Sequence, residues 1–109
     1  MPADTDVYTA IADPTRRRIL DLLTDADRSA GELAEPFRMS RPAISQHLRV
    51  LREAGLVSER KAGRRRIYRL AAGGLRDAHS WLGGYQRFWQ VRFAALGDYL
   101  DAAADGENR

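Results

Sequence analysis

One stretch constrains the fold of this chain more than any other. It is MSRPAISQHLRVLREAGLVSERKAGRRRIYRL, from Met39 to Leu70, and its hydrophobic period changes partway along. Between Ser40 and Gly55, Ile44, Leu48 and Leu51, with Val50 beside them, recur at helical spacing. Ser40 is a natural N-cap and Pro42 falls in the first turn, where its missing N–H costs nothing. Gly55 can close the helix at its C-terminal end. The opposite face carries Pro42, Ser45, Gln46 and Arg49 at i, i+3, i+4 and i+7, so it is short, polar and basic. After Gly55 the period shortens. Leu56 and Val57 open one strand and IYRL closes a second, with Ile67 and Leu70 toward the interior. KAGRRR between them reads as a hairpin turn around Gly63.

The charge is segregated. The chain has a net charge of +3, yet Arg38–Arg69 holds ten Lys/Arg against two acids. The remainder is net acidic. Such segregation suits either a solvated basic surface or a face that meets a polyanion, and the spacing of the other residues decides for the second.

The other segments read as helices. DVYTAIAD makes a short one with Val7 and Ile11 on its inner side and Tyr8 beside them. DPTRRRILDLL makes a clearer one, with Asp13 as N-cap, Pro14 at the first position and Ile19, Leu20, Leu22 and Leu23 as the apolar face. SAGELAEPF makes a third, starting near Ser29, with Leu33, Ala34 and Phe37 inward. The last third reads as a single helix, from about Gly74 to Ala103. It carries two apolar stripes, one running through Leu75, Ala78, Leu82, Tyr85, Trp89, Leu96 and Tyr99. The other runs through Trp81, Phe88, Ala95, Phe93 and Leu100. At 44% hydrophobic, 109 residues build one small core and cannot cover both stripes. The pattern predicts a dimer, with Tyr8, Leu82, Tyr85, Trp89, Leu96 and Tyr99 at its interface. The aromatic group Trp81, Tyr85, Phe88, Trp89, Phe93 and Tyr99 is read as core and interface rather than a ligand pocket. A single domain is expected over residues 1–104, followed by a disordered tail, 105–109.

Other features bound the setting. No run approaches the roughly 18 apolar residues that span a bilayer. The N-terminal residues show no secretory pattern. The chain has no cysteine, which excludes disulfides and thiolate metal sites. A cytoplasmic protein without a membrane partner is the expectation.

Two helices joined by a tight turn, then a hairpin with a basic tip, define a winged helix-turn-helix: mainly α with a small β-hairpin wing. An α-helix fits the major groove of DNA, and its outward side chains meet base edges. Candidate DNA contacts on this helix are Ser40, Arg41, Pro42, Ser45, Gln46, His47 and Arg49. Gln46 has the donor–acceptor pair that matches adenine, and Arg41 or Arg49 matches guanine. Ser45 suits a base or a phosphate, while His47, on the flank, suits packing or a phosphate. Lys61, Arg64, Arg65 and Arg66 on the wing would reach a flanking minor groove or the backbone.

The chain resembles the ArsR family of bacterial winged helix-turn-helix repressors over nearly its whole length. ADPTRRRILDLL (Ala12–Leu23), ELAEPFRMSRPAISQHLRVLREAGLV (Glu32–Val57) and GRRRIYRL (Gly63–Leu70) carry the resemblance. It implies a homodimer built largely from the first and last helices. It also implies a two-fold symmetric operator read by two copies of the Ser40–Gly55 helix, and repression by promoter occupancy.

The metal sites of that family are not matched. A cysteine pair in an ELCVCDL segment corresponds here to ELAEPF, with Ala34 and Pro36 at the cysteine positions. A second site, on the last helix, keeps Asp77 and His79, but its later positions fall at Gln90 and Phe93. Half a site does not supply the four ligands of a stable zinc centre. The reading is therefore a metal-independent regulator without a cofactor, one that answers to an unidentified small molecule or protein or simply represses its own operon. A metal-responsive repressor and a winged-helix protein-interaction module are the alternatives. An interaction module would lose the basic wing and the polar outward face. Catalysis has no support: Ser45 and His47 point to different sides of one helix, and there is no phosphate-cradling glycine loop or paired carboxylate.

Overall fold

The computed structural model describes residues 6–71 and 73–107, apart from the side chains of 91, 93, 94 and 104–107. The chain divides into two compact units, Met1–Ala78 and His79–Arg109.

The first unit begins with α1 (Val7–Ile11) and α2 (Pro14–Leu22). Asp6 caps α1 by accepting from the Thr9 amide at 2.7 Å. Asp13 caps α2 by accepting from the Arg16 amide at 3.0 Å, as its place before Pro14 predicts. Val7 and Ile11 pack on the core, whereas Tyr8 is exposed, on the side away from it.

Next come β1 (Arg28–Ser29) and α3 (Ala30–Ala34). Ser29 and Glu32 form a capping box, each side chain bonding the other's backbone amide at 3.1 and 3.0 Å. Such reciprocal bonds satisfy two helix-end donors at once. α3 stops at Ala34, short of the expected Phe37: Glu35 still has helical angles, but Pro36 has no amide hydrogen with which to continue the ladder. Phe37 still packs against the core from beyond the helix.

α4 runs from Arg41 to Glu53. Ser40 Oγ accepts from the Ala43 amide at 3.2 Å. Ile44, Leu48 and Leu51 are buried, and Val50 is partly buried. The helix ends in a Schellman motif: the Gly55 amide reaches the Arg52 carbonyl at 3.0 Å, and the Leu56 amide reaches the Leu51 carbonyl at 2.9 Å. Gly55 takes a φ of +76°, which a side chain would resist. Leu56, fully buried, passes the chain straight into the sheet.

β2 (Val57–Ala62) and β3 (Arg65–Leu70) form an antiparallel hairpin, and β1 adds to the other edge of β3. The paired register Ala62↔Arg65 leaves only Gly63 and Arg64 as the turn. Gly63 has a φ of +65° and Arg64 does not share the positive φ, the pattern of a type II′ turn. The turn is thus shorter than the expected KAGRRR: Lys61 and Ala62 belong to β2, Arg65 and Arg66 to β3. The Ala71 amide donates to the Leu56 carbonyl at 2.8 Å and closes the base of the hairpin. The buried β3 side chain is Tyr68, between the half-buried Ile67 and Leu70.

The core lies where α2, α3 and α4 meet the sheet. Ile19, Leu33, Ile44, Leu48, Leu51 and Leu56 are its largest fully buried side chains.

The terminal segment is two helices rather than the one expected. α5 spans Gly73–Gly83 and α6 spans Gln86–Glu107. Gly83 and Gly84 weaken helix propagation. The Gly84 and Tyr85 amides turn back to the Trp81 and Leu82 carbonyls at 3.1 and 2.9 Å, a tightened final turn. α6 continues past residue 104, so the expected tail is helical as far as Glu107. Asn108 and Arg109 lie outside the described residues.

Candidate nucleic-acid interface

α4 presents its two faces as the spacing predicts. Arg41, Pro42, Ser45, Gln46 and Arg49 are exposed opposite the buried Ile44, Leu48 and Leu51. Ser40 is also exposed, its hydroxyl engaged in capping. Arg49 Nε donates to Glu53 Oε1 at 3.0 Å, one turn along the same face. Both groups are well solvated, so the pair is weak, and Arg49 can be drawn off it by a stronger acceptor.

His47 sits differently. It is half-buried on the flank of α4, and Arg16 Nη1 lies 3.2 Å from its Nδ1. A guanidinium only donates, so Nδ1 holds the lone pair and the ring proton sits on Nε2. Arg16 also donates from Nε to the Ala10 carbonyl at 2.7 Å and from Nη2 to the Thr9 carbonyl at 3.1 Å. Arg17 covers the next two carbonyls, of Ile11 and Ala12, at 2.8 and 3.2 Å. Two consecutive arginines of α2 thus satisfy the open end of α1, and one of them reaches α4. Periodicity does not reveal this link, because its partners lie 6 and 31 residues away. The carboxyl of Asp13 is held below the usual range, first by the Arg16 amide and then by the charge of the Arg16 guanidinium.

Arg65, Arg66 and the other wing cations are exposed along β2 and β3. Most of the basic stretch is tied to carboxylates. Arg65 pairs with Glu32 at 3.0 Å, and Asp27 lies 3.7 and 3.5 Å from Arg60 and Arg69. Glu59 is a hub: it accepts from Tyr68 Oη at 2.7 Å, Arg52 Nη1 at 2.8 Å and Arg66 Nη1 at 3.3 Å. Its carboxyl is held below the usual range, chiefly by the Tyr68 hydroxyl, with Arg52 and Arg66 adding to the effect. Burial, reinforced by the bond to Glu59, pushes the Tyr68 hydroxyl up to about 12. The hub fastens the last turn of α4 to both wing strands. Neither Glu59 nor Tyr68 was distinguishable in sequence from an ordinary strand residue. Among the described residues, Arg38, Arg41, Lys61 and Arg64 have no ion pair.

In the second unit, Leu82, Tyr85, Trp89, Leu96 and Tyr99 are all exposed, as are Trp81, Phe88 and Leu100. Trp81 and Tyr85 meet edge to face at 5.2 Å, and Arg92 lies over the Phe88 ring at 4.4 Å. The Phe93 side chain lies outside the described residues. Asp77 and His79 are exposed, and no cluster of three or more metal-ligating side chains occurs among the described residues.

A polar, exposed helix face beside a basic hairpin defines a DNA-binding regulator of the winged helix-turn-helix class. Residues 13–59 match the model of the family described as bacterial regulatory protein, arsR family. The chain is 44% identical over 77 residues to the transcriptional repressor SdpR of Bacillus subtilis, covering 71% of this chain and 86% of that one. It is 41% identical over 98 residues to the HTH-type transcriptional regulator Rv2034 of Mycobacterium tuberculosis, covering 90% and 89%. The crystal structure of a possible transcriptional regulator for arsenical resistance superposes with a TM-score of 0.68 at 48% identity, covering 75% and 83%. The chain belongs to the ArsR family of transcriptional regulators.

Proposed function

We propose that the chain acts as a homodimeric repressor, which holds a two-fold symmetric operator through two copies of α4 and its wing. The observation that carries this reading is the division of α4. Its aliphatic face is sealed in the core while Ser45, Gln46 and Arg49 stand in solvent beside the basic hairpin. Gln46 reads adenine, Arg49 reads guanine once released from Glu53, and Ser45 meets a base or a phosphate. Ser40, Arg41 and Pro42 enter first, at the helix start. His47, locked to Arg16, sets the helix flank instead of reading a base. Lys61, Arg64, Arg65 and Arg66 engage the backbone or the flanking minor groove. Tyr8, Leu82, Tyr85, Trp89, Leu96 and Tyr99 supply the dimer contact, supported by their exposure in the single chain. The protein works in the cytoplasm, where promoter DNA lies, and without a metal. Its signal is a small molecule or a protein.

The test is binding to the DNA upstream of its own gene and to a shuffled control, by fluorescence anisotropy at two salt concentrations, with and without zinc. Selective, salt-sensitive and zinc-indifferent binding is expected. Zinc-induced release reversed by a chelator would replace this reading with a metal-responsive one through Asp77 and His79. Absence of salt-sensitive binding would remove DNA as the partner.

A further inference from the structure

A hollow of about 430 Å3 opens between the first turn of α4 and the wing. Arg41, Arg64, Arg65 and Arg66 line it, together with Ser29–Gly31. A Cβ built on Gly31 would stand 3.5 Å from Arg41 Nη2 and 3.8 Å from Nη1, so the Arg41 guanidinium lies over the Gly31 backbone. Arg65 and Arg66 already answer to Glu32 and Glu59. Arg41 and Arg64 have no carboxylate partner among the described residues, and no carboxylate lines the hollow. Two unneutralised guanidinium groups thus border one space, from two different elements.

We propose that this hollow is a seat for a single phosphate, in which Arg41 of α4 and Arg64 of the wing hold the same phosphodiester of duplex DNA. The inference rests on the DNA-binding reading of α4 and the wing. Guanidinium groups donate in a fixed fork that suits the two free oxygens of a phosphodiester. A helix in the major groove and a wing in the adjacent minor groove are separated by one sugar–phosphate strand. The hollow lies between the elements assigned to those two grooves. A backbone phosphate held there carries no sequence information but fixes the register of α4. Free inorganic phosphate is the other possible source of the same chemistry.

The experiment uses the full chain and a fluorescein-labelled random-sequence duplex, with affinity followed by anisotropy between about 50 and 200 mM salt. Arg41→Gln, Arg64→Gln and the double variant are compared, with circular dichroism to confirm folding. Counterion release counts neutralised phosphates, and the proposed dimer carries one seat in each protomer, so the double variant is expected to lower the magnitude of the log–log salt slope by about two. Its affinity loss is expected to be smaller than the product of the two single losses. Arg41→Lys with Arg64→Lys keeps the charges and is expected to keep the slope. A slope change of about four with multiplicative losses means two separate phosphates in each protomer and overturns the seat, while DNA binding itself stands. Wild-type protein with no salt slope overturns the DNA reading instead. In a second arm, the side-chain NMR signals of Arg41 and Arg64 are expected to shift together with duplex and to stay in place with inorganic phosphate at matched ionic strength. Shifts with inorganic phosphate, together with an unchanged duplex slope in the double variant, would assign the seat to a small anion and overturn the DNA source.

Discussion

The two units of this chain handle their apolar side chains in opposite ways. In Met1–Ala78, Ile19, Leu33, Ile44, Leu48, Leu51 and Leu56 are closed off from solvent by three helices and a sheet. In His79–Arg109, Trp81, Leu82, Tyr85, Phe88, Trp89, Leu96, Tyr99 and Leu100 remain between 39% and 71% exposed. The difference is what the proposed dimer would account for. The first unit carries its own covering layers. Among its described residues, the second leaves eight large apolar side chains in solvent.

That contrast can be broken most severely at the core. Leu51→Ala should cost about 2–5 kcal/mol, read as a lower urea midpoint, and the loss should not depend on protein concentration. A loss that disappears at high concentration would mean that the first unit also depends on a partner. Trp89→Ala should act in the opposite manner. It should weaken self-association by about 2 kcal/mol, measured by sedimentation equilibrium, with the folding of the first unit intact. Unchanged self-association would take Trp89 off the interface.

The DNA-facing side sharpens the comparison within the first unit itself. Gln46→Ala should lower affinity for the cognate site by about 1–3 kcal/mol and leave random DNA almost untouched. Equal losses on both would make Gln46 a backbone contact. The smallest effect belongs to the Glu59 hub and appears as a pH dependence. The Glu59 carboxyl is depressed in the folded state from an ordinary value of 4.5. The stability that it contributes is therefore present above that value and is lost as the pH falls through the folded value. The Tyr68 hydroxyl, pushed up to about 12, stays neutral throughout that range. Glu59→Gln should flatten the fall in urea midpoint across the acid range. An unaltered acid profile would show that the hub contributes nothing there.

Local chemistry made the first unit readable. Ser40, Asp13 and Ser29 are caps whose side chains bond the amides that their positions require. Gly55 and Gly63 stand where the backbone turns left-handed. The exposed stripe of α4 follows directly from its spacing. What was hidden depends on distant partners. β1 is two residues long, too short for a period, and exists because β3 lies beside it. Tyr68 looked like any residue between Ile67 and Arg69, yet it is the buried one. The break at Gly83–Gly84 was lost beneath a hydrophobic pattern that runs on across it. Arg16 was legible as a helix residue but not as the tie between α1 and His47. The ion pairs that hold Arg49, Arg65 and Arg66 could not be read from a count of charges.

The hairpin is fixed firmly at its root, while its tip is held only by the exposed pair between Arg65 and Glu32. Leu56 is buried and bonded both to the end of α4 and to Ala71, so both feet of the wing are pinned together. A beam held this way is a cantilever, and its deflection grows toward the far end, where Gly63 and Arg64 sit. A load applied to the wing would therefore move Gly63 and Arg64 first, well before it reached Leu51 and Leu48.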